Sequence, residues 1–451
     1  MLKKLFITAY ITESMLEMGL MDVVEFYDVR KVESTSLVLN LENGKVEKPK
    51  FERSSNKGFR VLKNGFWGIF SGNVSDEEGI ERAAKNATGK GDAGIVDAGE
   101  GGKFVMKVKK NPADISIEEK VELIKEIEKE VRADYIVSTK IIYIENLRKF
   151  SYVDSSGVEV YYEVPRTGIV IQAVAKDDVM QFYSKRLMKP AGYEIFDDRV
   201  FCIATEVRER LAELLKAKLP PSGEMNVVMD SDLGGVFIHE AFGHAVEADH
   251  VLQGATILAG RVGEKVACED VNIYDDPTIN EFGFYPFDDE GVRAERKVIV
   301  ENGVLKSFLH SRETAAKLGG MPGNARAQGV AEPIVRMSNT FMADGELSFE
   351  ELLEEAKNGI FLAGSRGGET NPATGYFQFN AQYGYLIRNG ELAEPVRDVS
   401  LSGNTLSILR DIKLGKGLRF DPGFCGKAGQ LVPVADGTPP SLVRAKVGGV
   451  A

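Results

Sequence analysis

The sequence predicts an α+β fold in which an N-terminal mixed α/β domain precedes a largely antiparallel C-terminal β domain. The first observation is a series of strand-like runs joined by Asn-Gly pairs, which supply the positive φ angles of tight hairpin turns. The second is a smaller number of runs with helical periodicity that begin at capping residues. The third is a Pro-Pro pair near the middle of the chain, at which helical structure has to stop.

The first half begins with strand patterns. Runs rich in β-branched and aromatic residues flank two Asn-Gly pairs, which predicts two hairpins. After these hairpins the β pattern returns three more times. The predicted strands cover residues 23–29, 36–41, 60–62, 66–70, 135–144, 158–164 and 169–175, and the turns are Asn43-Gly44 and Asn64-Gly65.

Helical patterns separate these strands. Ser75 and Ser116 each precede a glutamate by three residues, as in a capping box, and the run after Ser116 repeats its apolar residues with helical spacing. A last helix is predicted at residues 197–218, and Pro220-Pro221 follows it. We therefore predict a boundary at this point, with an N-terminal domain at residues 1–221 and a C-terminal domain at residues 222–451.

The second half is glycine-rich and mostly β in character. Asn302-Gly303 and Asn389-Gly390 predict two more hairpins. One helix is expected to begin at a capping box formed by Ser348 and Glu351 and to end at Asn358-Gly359, through a residue with positive φ.

Length and composition limit the class of protein. The chain has 451 residues, more than the ~250–300 that one hydrophobic core supports, so two domains are expected. The net charge of −12 argues against a nucleic-acid binder, which needs a basic face. No apolar run approaches the ~20 residues that span a bilayer, so no membrane partner is expected either.

The cysteines and the start of the chain indicate a compartment. Cys202, Cys268 and Cys425 lie far apart and form no Cys-x-x-Cys pair, which fits a reducing compartment, and we expect a cytoplasmic protein. The run from Met1 looks like the start of a secretory leader, but Glu17 follows before a long apolar core has formed. We predict a first helix of the mature protein here and no leader.

The strongest chemical signal lies at residues 234–244. Three of the four histidines, His239, His244 and His250, fall within twelve residues, and Glu240 directly follows the first of them. Neutral imidazole is a common zinc ligand, and a carboxylate beside a metal can take a proton from water and later give it to a leaving amine. For His250 alone, an ordinary packed or solvated side chain is the simpler interpretation.

The spacing of these histidines makes a structural prediction. In zinc peptidases with the His-Glu-x-x-His pattern, the two histidines lie on one face of a helix. Here the pattern is His-Glu-x-x-x-His, and in a regular α-helix it separates the two side chains by ~140° around the axis. Binding of one metal by His239 and His244 therefore requires a π-bulge or a bend, which Gly243 would permit. The C-terminal domain is thus expected to carry an irregular metal-site helix.

A third ligand is required, because a catalytic zinc normally has three protein ligands and one open position. Cys425 stands out, since nearby glycines allow close approach of the backbone and Lys427 would favour the thiolate. A small apolar side chain in a turn explains Cys425 equally well. Spacing alone does not choose among the candidates, which are Glu247, Asp249, His250, Cys268, Glu269 and Cys425.

The stretch from His239 to Asp249, His-Glu-Ala-Phe-Gly-His-Ala-Val-Glu-Ala-Asp, resembles the TldD/PmbA family of metallopeptidases, in its TldD-like, metal-binding branch. The resemblance covers the second half densely and the first half only at residues 58–61 and in strand order. The other similar segments are residues 287–292, 323–326, 336–340, 374–379 and 425–430. The resemblance implies that His239, His244 and Cys425 bind one zinc ion per chain and that Glu240 is the general base.

The same resemblance implies a zinc-dependent peptidase that acts on short or unfolded peptides in an enclosed cavity. It also implies pairing with a PmbA-like (TldE-like) homologous subunit, with a homodimer as the alternative. Three other functions stay open: a non-catalytic peptide-binding or scaffold subunit, a metal-dependent amidohydrolase acting on small amides, and a structural zinc site. Imidazole and thiolate ligands favour zinc, although cobalt or iron fits them too.

The remaining similar segments also have structural explanations. Residues 288–290 are acidic and are expected to form a solvated turn, while Arg326 and Arg336 either anchor a substrate carboxylate or pair with these acids. Residues 374–379 alternate like a strand, and a free edge there would let an extended peptide add to it. His310 alternates on a hairpin strand and is expected to be structural.

Overall fold

The computed structural model describes residues 24–449. It confirms the predicted α+β class, with large and mostly antiparallel sheets. The helix predicted between Met1 and Glu17 lies outside the described residues. Within residues 24–449, no helix has the length and apolar character needed to cross a bilayer.

An eight-stranded sheet dominates the first half. Its strands are β1 (Val24–Glu42), β2 (Lys45–Val46), β3 (Lys50–Lys63), β4 (Phe66–Ser71), β5 (Gly102–Val105), β6 (Ile136–Asp154), β7 (Glu159–Lys176) and β8 (Met180–Lys189). Their order is β4-β3-β1-β6-β7-β5, with β2 paired to β1 and β8 to β7, and only β5 runs parallel to its neighbour. Both predicted Asn-Gly turns are present, with positive φ at Asn43-Gly44 and Asn64-Gly65.

Two strands of the structure, β1 and β7, each cover a pair of strands that the sequence predicts as separate. The prediction of separate strands at residues 23–29 and 36–41 is wrong, because β1 stays paired with both β3 and β6 through the polar residues between them. In the same way β7 joins the strands predicted at residues 158–164 and 169–175. Polar residues interrupt the apolar alternation where the sheet faces the second half, as Arg30 does by donating to the backbone oxygen of Ala331 (2.7 Å).

Three helices pack on this sheet. They are Asp76–Asn86, Ile117–Val131 and Asp198–Leu214, with short 3-10 turns at Pro112–Asp114 and Tyr193–Ile195. The hydroxyls of Ser75 and Ser116 accept the backbone N–H three residues later, as the capping pattern predicts. Ile124 and Leu211 of the two longer helices share a core with Ile141 of β6. The opposite face of the sheet is therefore left for contact with the second half.

Fifteen strands follow in the second half. They are β9 (Gly223–Met229), β10 (Ile273–Asp275), β11 (Lys297–Glu301), β12 (Val304–Leu305), β13 (Ala325–Arg326), β14 (Ile334–Val335), β15 (Asn339–Met342), β16 (Gly359–Asn371), β17 (Tyr376–Arg388), β18 (Glu391–Val396), β19 (Val399–Asn404), β20 (Lys413–Leu414), β21 (Arg419–Lys427), β22 (Gln430–Thr438) and β23 (Ser441–Gly449). One sheet has the order β12-β11-β10-β15-β22-β21. Another has the order β16-β9-β23-β19-β17-β18, with β20 on β23, and β13 pairs with β14.

Helices of the second half pack between and beside these sheets. They are Ser231–Val236, the π-helix Phe237–Gly243, the 3-10 turn His244–Val246, Ala248–Leu252, Arg312–Leu318, Phe349–Ala356 and Thr405–Asp411. The capping box of Ser348 and Glu351 is complete, as predicted. The predicted stop at Asn358-Gly359 is wrong, because Lys357 takes the positive φ and Gly359 already begins β16.

Two further expectations for this half are wrong. Residues 376–379 have no free edge for a peptide, because β17 pairs there with β16 on one side and β19 on the other. The acidic run is buried and lies against the first sheet, where Asp289 pairs with Arg148 and Glu290 with Arg60 (2.9 Å). These acids therefore join the two halves of the chain and are not solvated, and neither Arg326 nor Arg336 is their partner.

Candidate metal centre

The helix that carries the two histidines is irregular, as their spacing predicts. Residues Phe237–Gly243 form a π-helix, and the backbone N–H of His244 donates to the backbone oxygen of His239, five residues earlier. This wider turn brings residues five apart to the same side of the helix. The two imidazole rings consequently lie 5.2 Å apart between centroids and perpendicular to each other.

Glycines allow this helix to lie close to the neighbouring strands. A side chain at Gly243 would overlap the sulfur of the buried Met337, and one at Gly235 would press on the backbone oxygen of Asp436. Asp230 caps the preceding helical turn by accepting the backbone N–H of Leu233 (2.8 Å). The π-turn is therefore held between β22 and the segment around Met337.

Cys425 reaches the histidines from β21. Its Sγ lies 3.6 Å from Nε2 of His244, and the ligand atoms of His239, His244 and Cys425 all lie within 4.8 Å of one another. Two ligands on one tetrahedral zinc, with typical Zn–S and Zn–N bond lengths, are about 3.6 Å apart. The donor set and its spacing therefore fit zinc, with three protein ligands and one position left over.

Each imidazole is oriented by a carboxylate. Nδ1 of His239 lies 2.6 Å from Asp436, and Nδ1 of His244 lies 2.8 Å from Glu247. Hydrogen bonding at Nδ1 leaves Nε2 of each ring for the metal position, as in the carboxylate–histidine–metal arrangement of many metalloproteins. Glu247 is fully buried and also accepts from Nζ of Lys427 (3.0 Å).

His239, His244 and Cys425 shift one another's pKa values. Burial alone would raise the pKa of Cys425, but the charge of His239 and hydrogen bonds from both imidazoles lower it to about 5. Burial would lower the pKa of His244, but Glu247 and Cys425 raise it to about 10, and Asp436 and Cys425 raise the pKa of His239 in the same way. The lowered pKa of Cys425 favours its thiolate form, so a metal bound by these three residues would replace protons on the imidazoles.

Glu240 lies at the edge of this cluster. Its carboxylate is 3.8 Å from Nε2 of His244, and its side chain is 38% exposed, whereas that of His244 is 12% exposed. A carboxylate that reaches both solvent and the metal ligands can contact water and a substrate at the same time. Glu240 is therefore a candidate general base.

The other ligand candidates do not join the three residues. Glu247 orients His244, and Asp249 is bonded to Lys427 (2.6 Å). Nδ1 of His250 bonds the backbone oxygen of His244 (2.9 Å), while Cys268 donates to the backbone oxygen of Ile412 (3.4 Å). Glu269 is exposed. The expectation that Lys427 favours the thiolate is wrong, because its ammonium is held by Glu247 and Asp249 and the histidines lower the pKa of Cys425.

Asp436 is the important residue that the sequence analysis missed. It is a lone carboxylate in the apolar strand β22, and an isolated acid in such a strand could have identified it as a candidate site residue.

His310 is buried with Nδ1 3.2 Å from the hydroxyl of Thr314, and burial lowers its pKa to about 4, which fits a structural role.

Comparison with known proteins decides the family. Models described as PmbA/TldA metallopeptidase domain 1, central domain and C-terminal domain match residues 27–89, 110–219 and 222–449. The chain belongs to the TldD/PmbA family of metallopeptidases. The three models together match most of the chain, so the family assignment does not rest on the histidine motif alone.

Two relatives and one solved structure illustrate the similarity. A "Metalloprotease" of Archaeoglobus fulgidus is 66% identical over 94% of this chain and 100% of its own length. A "Zinc metalloprotease TldD homolog" of Saccharolobus solfataricus is 34% identical over 86% of this chain and 89% of its own length. The crystal structure of TldE from Thermococcus kodakarensis superposes with a TM-score of 0.77 at 20% identity, over 97% of this chain and 100% of that one, which shows a shared fold.

Proposed function

We propose that this TldD/PmbA family member is a zinc-dependent peptidase that hydrolyses short or unfolded peptides. The observation that carries the proposal is the convergence of His239, His244 and Cys425 beside a partly exposed Glu240. The name of the S. solfataricus relative supports zinc as the metal. A structural zinc site would need a fourth protein ligand, and within residues 24–449 no fourth His, Cys, Asp or Glu groups with these three.

The roles of the residues follow from their positions. Nε2 of His239, Nε2 of His244 and Sγ of Cys425 hold the ion, which supplies Lewis acidity when bound. Glu240 takes a proton from the attacking water and then gives it to the leaving amine. Asp436 and Glu247 fix the orientation of the two imidazoles. A thiolate ligand donates charge to the ion and reduces its acidity, so a modest turnover is expected.

The proposal extends to the partner and to the setting of the protein. The fold shared with a TldE protein supports pairing with a TldE-like homologous subunit that lacks the metal ligands, and a homodimer is the alternative. A domain boundary at Pro220-Pro221 would place all three metal ligands in the domain 222–451. A cytoplasmic location fits the free cysteines, which form no disulfide in the part of the chain described by the structure.

One experiment tests the proposed reaction. Zinc content and hydrolysis of an unfolded polypeptide and of small amides are measured for the wild type, Glu240→Gln and Cys425→Ser, with and without a co-expressed homologous subunit. We expect the wild type to cut the polypeptide, Glu240→Gln to keep zinc without hydrolysis, and Cys425→Ser to lose much of both. Hydrolysis of small amides alone would favour an amidohydrolase, and no hydrolysis with the subunit present would favour a scaffold.

A further inference from the structure

A cavity with a volume of about 390 Å³ lies where the first sheet meets the second half of the chain. Ser36, Asn146 and Arg166 lie side by side on its sheet wall, in register across β1, β6 and β7. The hairpin β21–β22 contributes Phe424 to the cavity. Side chains alternate along a strand, so Phe424 points to the opposite face of β21 from Cys425, and the cavity is separate from the metal centre.

Three arginines line this cavity, and two of them lack a carboxylate partner within residues 24–449. Arg166 donates to the backbone oxygens of Phe282 (3.2 Å) and Phe284 (2.5 Å). Arg326 donates to the backbone oxygens of Met337 (2.6 Å) and Pro433 (2.7 Å). Both side chains are buried and neither forms a direct ion pair with any described residue, so only the more distant charge of Asp289 acts on both of them.

The third arginine, Arg148, pairs with Asp289, but its Nε is buried without a hydrogen-bond partner. Burial, and next the charge of Arg326, lower the pKa of Arg166 to about 9. Asp289 is the one buried carboxylate on the cavity wall in the described part of the chain. The buried charge of the cavity is consequently positive.

Other buried arginines between the two halves differ in this respect. Arg60 pairs with both Asp28 (2.6 Å) and Glu290 (2.9 Å), and Arg312 pairs with Asp154 (3.2 Å). Burial of an unpaired charge is costly, and proteins usually provide a partner for it. Arg166 and Arg326 form no such ion pair within residues 24–449, and unlike the equally unpaired Arg336 they line a cavity, so an anion in that cavity would lie beside both charges.

The rest of the wall indicates what the anion is attached to. Aromatic and apolar side chains line the cavity beside the arginines, among them Tyr162, Phe282, Tyr285, Phe287, Phe424 and Leu431. A pocket of this size with an apolar wall and a few convergent polar groups is typical of small-molecule sites. Guanidinium groups match the planar oxygen pairs of carboxylates and phosphates.

We propose that this cavity binds a small organic oxyanion, a carboxylate or a phosphate monoester, that carries an aromatic or branched apolar body. The oxyanion lies against Arg166 and Arg326, and the apolar body packs on the aromatic wall. The site is independent of the proposed peptidase reaction, because neither arginine contacts the metal ligands' side chains.

Isothermal titration calorimetry on the full chain tests this proposal with three probes. N-acetylphenylalanine carries a carboxylate, phenyl phosphate carries a phosphate monoester, and N-acetylphenylalaninamide has the same body as the first without the charge. We expect at least one oxyanion to bind with a Kd of ~1 mM or tighter, and the neutral amide to bind about tenfold more weakly or not at all. The oxyanion with the lower Kd, N-acetylphenylalanine or phenyl phosphate, identifies whether the natural ligand carries a carboxylate or a phosphate.

Four variants locate the binding. Arg326→Gln removes one charge, and Ser36→Phe fills the cavity from a partly buried position without breaking a charge pair, so each should weaken binding about tenfold or more. Arg296→Gln is the control. Like Arg326, which lies over the ring of Tyr285, Arg296 lies over aromatic rings, but it is outside the cavity. Cys268→Ser, also outside the cavity, should likewise leave binding unchanged.

Three results would overturn the proposal: absence of oxyanion binding to the wild type, equal binding of the neutral amide, or unchanged binding in Ser36→Phe. If Arg326→Gln does not fold, as judged by thermal unfolding, Ser36→Phe decides the outcome.

Discussion

Nε2 of His244 lies 3.6 Å from Sγ of Cys425, although 181 positions separate the two residues in the chain. One comes from a π-helix and the other from β21, at the edge of a six-stranded sheet. The candidate metal centre therefore exists only when this helix packs against the hairpin β21–β22. Metal binding and folding of the second half should be coupled for this reason.

The first prediction concerns the thiolate. Cys425→Ser replaces a charged sulfur with a weakly acidic hydroxyl, so the purified protein should contain much less than one zinc per chain. Metal content is measured by plasma mass spectrometry. Cys268→Ser is the control, because Cys268 bonds a backbone oxygen away from the metal centre, and it should keep its zinc. Equal zinc content in the two variants would remove Cys425 from the ligand set.

The second prediction concerns the carboxylates behind the imidazoles. Asp436→Asn and Glu247→Gln keep a side chain of the same shape but weaken the orientation of His239 and His244. Each should reduce zinc affinity by about 10–100-fold. Competition with a chromophoric chelator measures this, and Asp249→Asn is the control because Asp249 bonds Lys427 and no imidazole. Affinity as low in the control as in the other two variants would point to a general charge effect.

The third prediction concerns pH. Without metal, the pKa of His244 is raised to about 10 and that of Cys425 is lowered to about 5, so near neutral pH zinc has to replace protons on the imidazoles. Zinc affinity should consequently rise as the pH increases between about 6 and 9, and binding should release protons. Calorimetry in buffers with different ionisation enthalpies counts these protons. Affinity that stays constant over this pH range would contradict the imidazolium–thiolate cluster.

The fourth prediction concerns the π-turn. Gly243→Ala places a methyl group on the sulfur of Met337, which is fully buried, so the helix and Met337 cannot both stay in place. We expect a loss of about 1–3 kcal/mol in the free energy of unfolding and a lower zinc affinity. Denaturant titration measures the first quantity. Gly94→Ala is the control, because the added methyl group contacts no other atom, and it should change neither stability nor zinc affinity. Combining Met337→Ala with Gly243→Ala should recover part of the lost stability and part of the lost zinc affinity.

The local part of the site could be predicted from the sequence. The spacing of His239 and His244 does not fit one face of a regular helix, so a metal site at these residues required an irregular turn, and the π-helix is present. Cys425 could not be chosen from spacing, because only the packing of two distant elements brings it to the histidines. The family resemblance includes residues 425–430, and this segment of it singled out Cys425.

The contacts between the two halves could not be predicted. Asp289 and Glu290 looked like a solvated turn because their partners, Arg148 and Arg60, lie on strands more than a hundred residues earlier. The continuous strand β1 was missed for the same reason, since Arg30 and Val32 in its middle section are buried by contacts with the second half. Sequence periodicity reports local burial, and it fails where a polar face is buried by distant residues.

The proposed reaction requires Glu240 to move protons at a zinc centre held by His239, His244 and Cys425. Zinc content and the kcat for peptide hydrolysis, measured for Glu240→Gln beside the wild type, test this requirement. We expect equal zinc content and a kcat lower by about a hundredfold or more, because the amide cannot take a proton from water. Wild-type hydrolysis by zinc-loaded Glu240→Gln would contradict it.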